Sequence, residues 1–179
     1  MANNHAICAL TKATAWDVDS NKVVGIATTD MDNGTFVVLG TMNVDSNKNI
    51  KGYEYNVTAA TATSTGVWVV RTPEAGTDIV EAQLFDDPRY FYNKAGKAMS
   101  LAYMNPKVDH VEIDKAGFTA NFDPDTVTNA TVAGLDANGK LKALTAAPSS
   151  GAYFTICGKK MIGVGQELVP VWVLRCERN

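Results

Sequence analysis

Apolar and β-branched residues come in short runs along this chain, and Asp, Asn, Ser, Gly and Pro punctuate them. Residues 5–11, His-Ala-Ile-Cys-Ala-Leu-Thr, read as a first strand within residues 5–15. Residues 23–27 and 35–39 are apolar and flank Asp32-Asn33-Gly34, so a hairpin across this Asn-Gly pair is expected. Residues 52–57 alternate cleanly, with Tyr53, Tyr55 and Val57 on one face and Glu54 and Asn56 on the other. Residues 58–65 are uncharged and small, which suits an exposed connection, and residues 67–71 are apolar on both faces, which suits a central strand.

The second half repeats this grammar. Residues 108–113 and 126–135 read as strands, and a second hairpin is expected across Asn138-Gly139 into residues 141–144. Residues 153–157 form the next run, Gly158-Lys159-Lys160 reads as a turn, and residues 168–176 form a last strand that is apolar on both faces. Val18-Asp19-Ser20-Asn21-Lys22 recurs as Val44-Asp45-Ser46-Asn47-Lys48, which predicts two similar turns because Asp, Ser and Asn side chains bond nearby amides. The expected fold is all-β: an antiparallel barrel or sandwich, the β-tulip type included, with many short strands and at most one short helix.

Residues 85–104 break the pattern. Asp87-Pro88 predicts a short helix, capped by Asp87 and limited by Gly96. Tyr90, Phe91 and Tyr92 are consecutive and cannot all face one core. The expected organisation is an N-terminal arm, 1–15, and a β domain, 16–179. Its two lobes, 16–84 and 105–179, are joined by connector 85–104.

Composition narrows the function. The 179 residues carry a net charge of −3, and the basic residues form no stripe that could neutralise a row of phosphates, which disfavours nucleic acid. No apolar run approaches a bilayer-spanning length, and the first residues lack the pattern of a secretory leader, so synthesis in a cytoplasm and no membrane partner are expected. Cys8, Cys157 and Cys176 form no CxxC pair, and all three read as buried free thiols.

Candidate chemistry is thin. Residues 17–21 and 30–34 alternate oxygen ligands like the start of a calcium loop but lack its later Gly and Glu, so no metal or other cofactor is expected. Asp86-Asp87 and Asp123 with Asp125 sit at Pro turns and read as solvated turn residues rather than a glycosidase pair. Trp68 and Trp172 lie in apolar strands and read as core, which leaves Trp16 as the one candidate exposed platform. No catalytic motif is present, and the chain is expected not to be an enzyme.

Three segments carry a resemblance. Asp32-Asn33-Gly34-Thr35-Phe36-Val37-Val38-Leu39, Val70-Arg71-Thr72-Pro73-Glu74 and Phe91-Tyr92-Asn93-Lys94-Ala95-Gly96-Lys97-Ala98 resemble, in this order, head proteins of tailed bacteriophages of Gram-positive hosts. The chain is similar in layout, over roughly residues 25–175, to the capsid decoration (head-stabilising) proteins of that group. The resemblance implies a non-enzymatic β protein on the outside of the virion head, made in the host cytoplasm. Its implied partner is the phage major capsid protein, and a homo-oligomer, with a trimer favoured, is expected. It supplies no contact residues. From apolar or aromatic character alone, Ile7, Leu10, Trp16, Tyr90, Phe91 and Tyr92 are the candidate partner contacts, with the arm through residue 15 expected to matter for attachment. Two other readings stand beside it, a carbohydrate-binding or adhesin β-sandwich and a small β-barrel enzyme using His110 or Cys157.

Overall fold

A computed structural model describes residues 5–12, 21–74, 87–120, 124–125 and 130–179. The fold is all-β. Its strands are β1 (Cys8–Lys12), β2 (Lys22–Ile26), β3 (Phe36–Val44), β4 (Ile50–Ala59), β5 (Trp68–Val70), β6 (Ala98–Tyr103), β7 (His110–Asp114), β8 (Val132–Leu135), β9 (Leu141–Leu144), β10 (Tyr153–Val164) and β11 (Glu167–Arg178). Five of them close into a barrel in the order β2-β4-β3-β5-β6, and six form a sheet in the order β1-β7-β11-β10-β8-β9. Closure leaves the barrel without free edges, the usual hazard of short strands.

The division of the chain differs from the one expected. β1 is not a separate arm: it pairs antiparallel with β7, with Cys8 opposite Ile113, and so belongs to the C-terminal sheet. Nor is 85–104 only a connector, because β6 lies between β5 and β2 and completes the barrel. The chain therefore starts in the sheet, builds the barrel, and returns to the sheet.

Alternation along the barrel strands explains how the two layers join. Val37, Val57, Val70, Met99 and Leu101 fill the barrel interior. Their neighbours Phe36, Val69 and Ala102 point the other way, into a second cluster with Leu10, Ile113, Leu135, Phe154, Trp172 and Leu174 of the sheet. Where β3, β5 and β6 pass between the two clusters they are apolar on both faces, because each face meets a core. Barrel and sheet share one core, and Phe36 and Phe154 meet across it with ring centroids 4.8 Å apart.

Both Asn-Gly turns form, with different consequences. Residues 136–140 close the expected β8–β9 hairpin, with Leu135 opposite Leu141. Asp136 Oδ1 accepts from Asn138 N and Lys140 N, each at 2.8 Å. Only Gly139 takes a positive φ, +71°, so this is a three-residue loop with a left-handed glycine rather than the two-residue turn in which both residues are left-handed. Gly34 likewise turns at φ +84°, but the strands on either side of it do not pair. β2 runs parallel to β4 and antiparallel to β6, while β3 pairs with β4 and β5.

The repeated Asp-Ser-Asn motif forms a turn at its second copy, where Asp45 Oδ1 accepts from Asn47 N and Asn49 N at 2.8 Å and joins β3 to β4. Most of the first copy lies outside the described residues. Gly158-Lys159-Lys160 is no turn. β10 runs straight through it, and Gly158 instead accommodates a register shift against β11 between Ile156 and Gly158. Asp87 does cap a single 3-10 turn, Pro88–Tyr90, accepting from Arg89 N at 2.9 Å.

Candidate assembly surface

The three segments that carry the phage resemblance are far apart in sequence and meet in one buried hydrogen-bond network. Asn33 is 1% exposed. Its Oδ1 accepts from Thr72 N at 3.0 Å and Asn93 Nδ2 at 3.2 Å, and its Nδ2 donates to Thr72 O at 2.9 Å and Glu74 Oε1 at 3.2 Å. All four hydrogen-bonding positions of the amide are thus used, which is what makes burial of such a polar group tolerable. Asn93 Nδ2 also donates to Met31 O at 3.1 Å, Thr72 Oγ1 donates to Asn93 Oδ1, and Ser100 N donates to Thr72 Oγ1 at 3.1 Å. Arg71 Nη1 closes the network on Thr72 O at 2.8 Å and Glu74 Oε1 at 3.0 Å. The network holds the 31–35 loop, the end of β5 and the start of β6 together; its work is architectural.

The groups best suited to chemistry are dispersed over the described residues, and most of them are buried or paired. Burial pushes the thiols of Cys8 and Cys176 up to about 12, so neither offers a thiolate near neutrality. Cys157, against expectation, is exposed at the β10 bulge, where its Sγ donates to Thr155 O at 3.7 Å. His110 Nδ1 is buried without a hydrogen bond among the described residues. Asp87 is held below the usual carboxylate range by hydrogen bonds from the Arg89 side chain, and Asp125 pairs with Lys159 at 3.1 Å. Asp86, Asp123 and residues 17–20 lie outside the described residues. Asp30 Oδ1 accepts from Ala95 N at 2.8 Å, and Asp32 pairs with His5 at 2.7 Å and Lys140 at 3.6 Å. Among the described residues no three or more His, Cys, Asp or Glu side chains gather as a metal site.

The residues picked as partner contacts divide. Ile7, Leu10 and Phe91 are buried within this chain. Tyr90 is half-buried in the 3-10 turn, and Tyr92 is half-buried with its ring stacked on His5 at 4.9 Å. Trp16 lies outside the described residues. Trp172 is buried against Phe118 and Trp68 is half-buried edge-on to Tyr103, so neither offers a flat platform for a sugar.

Among the described residues, five of the seven exposed large apolar side chains lie on two long hairpins, β3–β4 and β10–β11, that overrun the body. On β4, Tyr55 and Val57 face the barrel core, and Tyr53 continues the same face beyond it at 82% exposure. Val44 and Ile50, opposite one another at the hairpin end, are also exposed. On the β10–β11 hairpin, Lys159, Met161 and Gly163 stand opposite Trp172, Pro170 and Leu168. Because paired residues share a face, the side on which Trp172 enters the core continues outward as Pro170, Met161 and Leu168. There Met161 is 52% and Leu168 70% exposed. Among the described residues, β7 pairs with β11 over Val171–Arg175, and β8 pairs with β10 at Phe154 and Thr155. Arg89 pairs with Glu167 and ties the projecting end to the 3-10 turn. The alternation at Tyr53 was visible in the sequence, but only the fold reveals where the core under each strand stops.

Comparison with protein-family models, curated proteins and solved structures found no match to this chain.

Proposed function

We propose that this chain is a structural protein of a tailed-phage virion that docks on the outer surface of the major capsid lattice and stabilises the head without catalysis. The observation that carries the reading is the pair of overrunning hairpins, whose core-type faces continue as exposed apolar strips beyond the β body. Large apolar side chains so presented favour a protein interface over solvent. Binding to the assembled shell and not to its dissociated subunits stabilises the shell by mass action, and no chemistry is needed. Several copies gathered at a local symmetry axis, three in the favoured arrangement, would bridge neighbouring capsid subunits.

Co-sedimentation of the purified chain with heads lacking it tests this. A Met161→Asp, Leu168→Asp double variant removes two apolar contacts worth about 1.5–3 kcal/mol each if fully buried. Binding should weaken by about 100-fold or more. The melting temperature should barely move, since neither residue is in the core. Unchanged binding of the double variant would refute this docking face.

A further inference from the structure

The two Asn-Gly pairs of this chain are chemically alike and both glycines are buried, but their asparagine side chains sit in opposite surroundings. In Asn33-Gly34 the amide is buried with four hydrogen bonds, and Gly34 N donates to Val70 O at 2.8 Å. In Asn138-Gly139 the Asn side chain is exposed and lines an open cleft of about 270 Å³ together with Asp30, Asp32 and Lys140. Its Nδ2 makes one long contact, 3.4 Å, to Asp136 Oδ2. The Gly139 N–H makes no hydrogen bond among the described residues.

From this contrast we infer that Asn138-Gly139 is a site of spontaneous deamidation and isoaspartate formation in the folded protein, while Asn33-Gly34 is protected. The Gly139 amide nitrogen, unhindered by any Cβ on its own residue, loses its proton and attacks Asn138 Cγ. The Cγ–Nδ2 bond breaks, ammonia leaves, and a five-membered succinimide remains. Water from the cleft then opens the ring at either carbonyl. One opening gives an aspartyl residue at position 138, and the other gives an isoaspartyl residue whose main chain is longer by one methylene. The net change is water consumed and ammonia released, with no oxidant or cofactor. At Asn33 the same attack requires the network to open first, and the rate falls by the population of that open state.

The longer backbone matters because Gly139 is clamped to the barrel. Its carbonyl accepts from Phe36 N at 2.8 Å, and a Cβ placed on it would fall 2.1 Å from Phe36 O. An extra main-chain atom between Asn138 and Gly139 displaces that carbonyl from Phe36. Modification therefore loosens the joint between the β8–β9 hairpin and the barrel.

The test is to incubate the purified full-length chain at mildly alkaline pH and physiological temperature, then map peptides for isoaspartate. A chemically denatured sample, in which both sites are open, serves as reference. In the folded protein, modification at Asn138 should exceed that at Asn33 by at least about tenfold, the ratio set by an opening cost of about 1.4 kcal/mol. In the denatured sample the two sites should react alike. Equal rates in the folded protein, or an unmodified Asn138 when the denatured chain reacts, would overturn the assignment. Asn138→Ser aged in parallel should keep its melting temperature while the aged parent's falls. Asn138→Asp, which adds the charge without the methylene, should melt near the fresh parent. An aged, modified parent that melts like fresh protein would overturn the loosening.

Discussion

Phe154→Ala is expected to cost about 3–5 kcal/mol and to weaken barrel and sheet together. Phe154 is fully buried on β10, and its ring packs against Phe36 of the barrel strand β3. The substitution removes an aromatic side chain from the one cluster to which both layers contribute, among them Val69 and Ala102 from the barrel and Ile113 and Leu174 from the sheet. A β framework pinned by hydrogen bonds on both sides collapses poorly around such a void, so the cavity cost adds to the lost burial. Against a typical total of about 5–15 kcal/mol, that is a large share. Trp68 in the barrel and Trp172 in the sheet are natural reporters of the two layers. In a variant whose one tryptophan is Trp68, and in another whose one tryptophan is Trp172, fluorescence and far-UV circular dichroism of the same sample should give coincident midpoints. Adding Phe154→Ala should shift both probes down together. Separated midpoints would mean two independent cores.

Deleting residues 1–12 is expected to lower the melting temperature by at least about 10 °C, and to do so whether or not a capsid is present. β1 is a strand of the sheet: Ile7 N donates to Asp114 Oδ1 at 2.9 Å and Asp114 N donates to Ile7 O at 3.1 Å. Ile7, Cys8 and Leu10 are buried. Loss of Ile7 and Leu10 alone forfeits about 1.5–3 kcal/mol each, and for a chain of this size each kcal/mol shifts melting by about 2–4 °C. The deletion also strips β7 of its outer partner and makes β7 the sheet edge in place of β1, exposing pairing groups that invite aggregation. Calorimetry of the truncated chain decides the matter. An unchanged melting temperature with lost attachment would mark the segment as a detachable arm, as its isolated apolar run suggested.

How much of this was legible follows from where each interaction lies along the chain. Local chemistry was readable: the left-handed Gly139 turn, the Asp45 turn, the Asp87 cap and the alternation of Tyr53, Tyr55 and Val57 all depend on neighbours within a few residues. Partners distant in sequence were not. Cys8 opposite Ile113, or the parallel pairing of Gly25 with Tyr55, leaves no mark in either segment, and so β1 read as an arm and Asn33-Gly34 as a hairpin. Gly158-Lys159-Lys160 read as a turn after the run at residues 153–157. In the fold the two lysines are exposed on a strand that Gly158 lets shift register. Phe91 read as a partner contact because three consecutive aromatics could not share a core, yet the fold buries it and stacks Tyr92 on His5. The candidate docking face was missed outright, since Met161 and Leu168 look like ordinary core positions until the core is seen to end before them.

The most direct test of the proposed role is a cryo-electron microscopy reconstruction of phage heads saturated with the purified chain. The account predicts density for the β body on the outer surface at local symmetry axes, with the β10–β11 hairpin end, Met161 and Leu168, turned toward the capsid or a neighbouring copy. Heads that stay bare, or carry the chain inside the shell, would contradict it.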